Sequence, residues 1–203
     1  LTLLFLDGFV AFSGTPLPEG MNLSSRDYFQ ESLQGKISLS RALKSMKSGE
    51  PIVAISSPVF DKGKIIGILL GVIKLKHFSQ VVVDSITVGE SGYAFMYDGE
   101  GQVLAHPDKK NIMQLDMDEL PFGALFRKGD QGLVEYEFND EGKMGVFQRA
   151  RDIDWYVAVS MASSEVTAPA RQTAYLIIGV GIGLLLVLGL AVTLITNRIV
   201  GPV

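Results

Sequence analysis

Cysteine is absent from the 203 residues, and histidine occurs only at His77 and His106. Without thiols there is no disulfide, no cysteine nucleophile and no thiolate metal site. His106, in "AHPD", has Asp108 nearby but no second histidine at ligand spacing, so it reads as structural and no zinc site is expected. Positive charge is scarce as well: 18 basic residues face 22 acidic ones, for a net charge of −4. Of these, 17 basic and all 22 acidic residues lie ahead of residue 174, a balance of −5 that leaves no electrostatic footprint for nucleic acid. No Gly-x-Ser-x-Gly elbow occurs, and Asp98-Gly99-Glu100-Gly101 lacks the Lys-Ser/Thr of a phosphate loop. The carboxylates of "QLDMDEL", Gln114 to Leu120, fall in a polar insertion expected to face water. Neither catalysis nor a cofactor is expected of this stretch.

What the chain does have is a long apolar run. "AYLIIGVGIGLLLVLGLAVTLI", Ala174 to Ile195, is 22 residues without a charge between Arg171 and Arg198. At about 1.5 Å per residue it extends about 33 Å as a helix, enough for a hydrocarbon core of roughly 30 Å. It predicts a transmembrane helix, with Pro169 in the first turn of the helix leading into it. Gly179 and Gly183 form a small-xxx-small pair suited to close helix approach, one possible dimer contact. "LTLLFLDG" opens on a strand-like run, so an export signal or a first membrane helix is expected upstream.

The part before the apolar run repeats itself. "LLFLDGFVAFSG" and "YAFMYDGEGQVLAH" both read as strand, Asp-Gly turn, strand, with Asp7-Gly8 and Asp98-Gly99 as hairpin signals. "PIVAISSPVFDKGKIIGILLGVIKL" resembles "GLVEYEFNDEGKMGVFQRARDIDWYVAVSM", with turns at Asp61 to Lys64 and Asp140 to Lys143. A duplicated α+β domain follows, each half an antiparallel sheet with its helices on one face. Between the halves, Leu75, Phe78, Val82 and Ile86 recur near helical spacing, and Gly89 and Gly92 are expected to close that connecting helix.

"NLSSRDYFQ", Asn22 to Gln30, supports two readings. In one, Ser24 or Ser25 is a helix N-cap, Asp27 complements the first-turn dipole and Arg26 is solvated. In the other, the planar guanidinium of Arg26 grips a carboxylate and Tyr28 supplies a ring wall and a hydroxyl donor. The two are compatible.

The order "NLSSRDYFQESLQGK", "SGEPIVAISSPVFDKGKIIGILLGVIKL", "GESGYAFMYDGEGQVLAHPD", then a membrane helix and "NRIVGP", resembles the double Cache sensor domain of bacterial transmembrane receptors, followed by the opening of a HAMP linker. The resemblance implies two tandem PAS-like modules with antiparallel sheets: a membrane-distal, ligand-binding module at 1–75 and a relaying, membrane-proximal module at 76–168. A juxtamembrane and transmembrane helix at 169–196 and the start of HAMP at 197–203 complete the scheme. It implies a homodimeric receptor in the plasma membrane with its sensor outside the cytoplasm, and downstream signalling proteins as partners. A chemotaxis transducer is the first expectation for the output, ahead of a sensor histidine kinase or a cyclic-dinucleotide enzyme.

By the same resemblance, Arg26 and Tyr28 line the distal pocket. The amino-acid-sensing members add a Tyr-x-Asp element and an acid on the last distal strand, whereas "KISLSRA" and "GILLGVIKL" contain no acid. A pocket with Arg26, Lys74, Ser38 and Ser40 and no carboxylate favours a small organic acid, mono- or dicarboxylate, over an amino acid. Lys74, at the end of a strand entering a helix, is more at home as an ordinary exposed lysine. Of Ser56 and Ser57 one faces inward, and Ser57 completes the candidate set.

Overall fold

A computed structural model of the chain describes residues 1–168 together with 178 and 180–182. Two six-stranded antiparallel sheets follow one another along it, an α+β arrangement. The first contains β1 (Thr2–Leu4), β2 (Val10–Ser13), β3 (Ser38–Leu39), β4 (Leu43–Lys44), β5 (Pro51–Asp61) and β6 (Lys64–Lys74), in the order β2-β1-β6-β5-β3 with β4 also on β5. Helix α1 (Asp27–Leu33) lies against one face of it. Helix α2 (Leu75–Val82) then leads to β7 (Thr87–Val88), β8 (Gly92–Asp98), β9 (Val103–Ala105), β10 (Gln131–Phe138), β11 (Glu141–Arg149) and β12 (Trp155–Ala162). In this second sheet the order is β10-β11-β12-β8-β7, with β9 on β8. Helix α3 (Gly123–Phe126) and two 3₁₀ turns occupy the β9–β10 connection. Met117, in the segment expected to face water, is buried in the second core, although its neighbours Asp118 and Glu119 are exposed.

The duplication is real, but its register differs from the one the sequence suggests. By strand order the partners of β1, β2, β5 and β6 are β8, β9, β11 and β12. The resembling turns instead join β5 to β6 and β10 to β11. Both are two-residue turns with positive φ at each position, Lys62 and Gly63 in one, Asn139 and Asp140 in the other, which is type I′ geometry. The shared signal is one of turn chemistry, and the second turn, centred on Asn139 and Asp140, begins one residue before the expected Asp140-to-Lys143 stretch.

The two Asp-Gly hairpins also resolve differently. Each is a three-residue loop: the Gly8 N–H donates to Phe5 O at 3.0 Å, and the Gly101 N–H donates to Asp98 O at 2.9 Å. Gly8 (φ +87°) and Gly101 (φ +95°) supply the left-handed residue such a loop needs. The structural equivalent of Gly8 is therefore Gly101, and Gly99 sits two positions earlier, at the start of its loop.

Three apolar clusters hold the layers together. The first sheet and α1 bury Leu4, Leu23, Tyr28, Phe29, Ala54, Ile68 and Leu70. Phe29 is 1% exposed, and a side chain so buried contributes about 1.5–3 kcal/mol of transfer free energy. In the second sheet aromatic rings fill the corresponding face; Tyr97 and Tyr156 stack at 5.0 Å, and the Tyr97 hydroxyl donates to Phe126 O at 2.6 Å. The third cluster joins Val53 of β5 and Leu75 of α2 to Ala94, Leu104 and Trp155 of the second sheet. Helix α2 stops at Val82, before Ile86 and both expected glycines, within the β-branched run Val81-Val82-Val83. Among the described residues no helix is long and apolar enough to cross a membrane. Apart from 178 and 180–182, the expected membrane helix at Ala174 to Ile195 lies outside the described residues, as does the HAMP-like Asn197 to Pro202.

Candidate ligand site

The α1 face of the first sheet carries a cavity of about 330 Å³. Strand alternation sets its floor. With Ile52 opposite Lys74, Ala54 opposite Val72 and Ser56 opposite Leu70, the side chains of Ile52, Leu70, Val72 and Lys74 project to one side. Arg26 and Tyr28, at the start of α1, form one wall. The β4–β5 turn contributes Ser45, Met46, Lys47 and Ser48, and the β2–α1 connection contributes Thr15, Leu17 and Met21.

The helix start is not capped as expected. Arg26 is the N-cap residue with extended backbone, and no side chain caps it. Ser24 is held instead by the Asn22 side chain, which accepts the Ser24 N–H at 2.8 Å and donates to Asp7 O at 3.0 Å. Gln30 donates to Ser24 O at 2.6 Å. The segment is thus fastened on both sides by amide groups, and both serines are free of cap duty. From below, the Ser56 hydroxyl donates to Tyr28 O at 2.7 Å and accepts from Ser32 Oγ at 2.8 Å.

Electrostatically, Arg26 is the distinctive group: among the described residues its guanidinium has neither an ion-pair nor a hydrogen-bond partner. Tyr28, 4% exposed, has its hydroxyl pKa raised by burial, with the Arg26 charge opposing. Lys74 pairs with Glu50 at 3.0 Å, and this hydrogen bond holds the Glu50 carboxyl below its ordinary range. Among the described residues no Asp or Glu lines the cavity.

The six candidate residues do not form one cluster. Arg26, Tyr28 and Lys74 line this cavity. Ser38 and Ser40 line an adjoining groove of about 520 Å³, which shares Arg26 and Tyr28 and also contains Asp27 and Glu31. The Ser38 hydroxyl is bonded to Glu31, and Ser40 Oγ accepts the Ala54 N–H at 2.8 Å. Ser57 lines neither, because Ser56 takes the α1 side of β5 and alternation turns Ser57 to the other. Among the lining residues missed from sequence are Leu43 and Ser45 to Ser48; the turn-forming "SMKSGE" was the available signal for the latter. His106 lies between Tyr93 and Phe95, accepts the Asp108 N–H at 3.0 Å, and has its pKa lowered by burial.

The family model described as Cache domain, dCache_1, matches residues 3–170. This chain belongs to the dCache_1 family. Among curated relatives, methyl-accepting chemotaxis protein McpA of Bacillus subtilis is 23% identical over 196 residues, 96% of this chain and 29% of that protein. Methyl-accepting chemotaxis protein PctB of Pseudomonas aeruginosa is 28% identical over 122 residues, 59% of this chain and 19% of that one. The dCache_1 chain thus spans less than a third of the length of the curated relatives it matches. In structure it is similar to the ligand-binding domain of PctB solved with L-Arg, at TM-score 0.65 and 23% identity, covering 82% of this chain and 72% of that one. The domain of the Pseudomonas fluorescens chemoreceptor CtaA with L-serine matches at TM-score 0.62 and 18% identity, with coverages of 80% and 72%. These likenesses carry the fold of two tandem PAS-like modules.

Proposed function

We propose that this dCache_1 domain is the extracytoplasmic sensor of a transmembrane chemotaxis transducer and binds a small organic acid over the first sheet. The observation that carries this reading is the unpaired Arg26 guanidinium beside the Tyr28 hydroxyl, at a cavity whose lining contains no carboxylate. An anion satisfies Arg26 bidentately, whereas an ammonium meets only hydroxyls there. The second sheet, its equivalent face packed with aromatic rings, suits a relay better than a receptor site. The chemotaxis output rests on the relatives, and the apolar run Ala174 to Ile195 supports passage through a plasma membrane. A sensor histidine kinase is the other output considered; the coding sequence downstream of Val203 separates the two.

One observation favours an amino acid instead. Asp27 and Glu31 line the groove that shares Arg26 and Tyr28, so an α-carboxylate on Arg26 would leave an ammonium within reach of acids. Calorimetry of the whole chain in nanodiscs decides between them. Carboxylic acids are expected to bind and Arg26→Ala to abolish binding with the circular dichroism spectrum unchanged. Binding of amino acids but of no carboxylic acid overturns the organic-acid reading.

A further inference from the structure

We infer that the ligand is a monocarboxylate whose far end is apolar; the inference rests on the reading of this cavity as the ligand site. Its lining offers three cations, but only one is uncommitted and inside. Lys74 is already paired with Glu50 and its side chain is 64% exposed, while Lys47 is exposed on the β4–β5 turn. Arg26 alone stands half-buried and unpaired against the buried Tyr28. One guanidinium in a planar fork accommodates one carboxylate.

Thr2, Thr15, Ser45 and Ser48 add neutral hydroxyls to the lining, and the floor between them is apolar and partly bare. On the floor Val72 is 50% exposed, and over it Met46 is 55% exposed, with Leu43, Ile52 and Leu70 also in the lining. An apolar ligand body removes that area from water. Against that floor a second carboxylate would lose hydration with Lys74 already committed to Glu50 and Lys47 out in water, and an α-ammonium would find acids only in the adjoining groove. At the roughly 30 Å³ that a water molecule occupies in the liquid, a 330 Å³ cavity accommodates a molecule of modest size. The class described is a branched or straight aliphatic, or a small aromatic, monocarboxylic acid.

Three probes with related carbon skeletons test it by calorimetry on the whole chain in nanodiscs. These are 4-methylpentanoate, L-leucine, which adds an α-ammonium to it, and adipate, which exchanges the apolar end for a second carboxylate. 4-Methylpentanoate is expected to bind tighter than either by about tenfold or more, in line with the selectivity of apolar pockets and with the cost of an unpaired polar group. Val72→Asp, at a half-exposed position outside the core, is expected to weaken it by about tenfold or more while the thermal melt stays in place. Adipate binding as tightly or tighter overturns the inference and leaves the organic-acid reading standing. L-Leucine binding with no response to either acid overturns both; L-leucine binding tightest beside an acid that also binds, or no binding by any of the three to a chain that melts cooperatively, overturns the inference alone.

Discussion

Gly8 shows how a single residue far along the chain from the ligand contacts governs them. Its φ of +87° belongs to the left-handed region, its carbonyl accepts the Leu23 N–H at 2.9 Å, and a β-carbon on it would come within 2.5 Å of Ser24 N. Gly8→Ala is therefore expected to cost about 2–4 kcal/mol, combining left-handed strain with displacement of backbone. Because the displaced backbone runs straight into Arg26, binding should weaken together with the denaturation midpoint. Ser56→Ala acts from beneath the same segment. It removes the hydroxyl that donates to the buried Tyr28 O and accepts from Ser32, which keeps Lys36 O as an acceptor at 3.0 Å, and is expected to cost about 1–3 kcal/mol in urea unfolding. Arg26 and Tyr28 entered the candidate set through the family resemblance, because the residues alone are equally accounted for by a helix start with a solvated arginine. Leu43 and Ser45 to Ser48 were not legible, because an apolar residue and a polar turn join a cavity only through the pairing of β4 with β5.

At the scale of elements, strand-turn-strand units were readable while their register was not. Turn chemistry repeats wherever φ must be positive, so similar turns marked β5–β6 and β10–β11 although strand order pairs β5–β6 with β11–β12. The end of the second sheet carries a contact that sequence gave no sign of. Glu165, in the helical stretch 163–168, accepts the N–H groups of Glu90 at 2.6 Å and Ser91 at 3.0 Å and the Ser91 hydroxyl at 2.5 Å. Ser91 Oγ in turn accepts the Ala162 N–H at 3.0 Å, so the β7–β8 turn grips the end of β12 and the helical stretch after it. The Ser91 hydrogen bond, followed by those from the backbone, depresses the Glu165 pKa. A depressed carboxyl stabilises the contact above its unfolded pKa and loses it as pH falls through the lower, folded value. Amide exchange at Glu90, Ser91 and Ala162 is accordingly expected to be slow at neutral pH and to lose that protection in acid. In Glu165→Gln the same amides should be less protected at neutral pH, with the acid-dependent step gone. An unchanged pH profile in that variant would assign the protection to the sheet alone.

For the whole molecule, the decisive feature is that the two sheets share a core. Val53 of the first sheet and Leu75 at the start of α2 are both 0% exposed, in one cluster with Ala94, Leu104 and Trp155 of the second. Arg41 reaches across to Glu100 at 2.6 Å, but both side chains are more than half exposed, so this ion pair contributes little beside the apolar contact. Lys74, on the cavity floor, directly precedes Leu75, so ligand contact and shared core are consecutive along the backbone. A ligand that shifts the end of β6 thereby acts on α2, and its effect is bounded by its differential affinity for the two arrangements. Two modules joined this way are expected to unfold together. Trp155 is the only tryptophan and sits in the shared core, so its fluorescence reports the junction while far-UV circular dichroism reports both sheets. The two transitions in urea should coincide for the whole chain in nanodiscs, the test of a two-state process. Leu75→Ala, which empties a fully buried site, is expected to cost about 2–5 kcal/mol and to shift both probes by the same amount. If the fluorescence midpoint alone moved, the modules would be independently stable, and coupling through α2 would have to give way to a path along the surface.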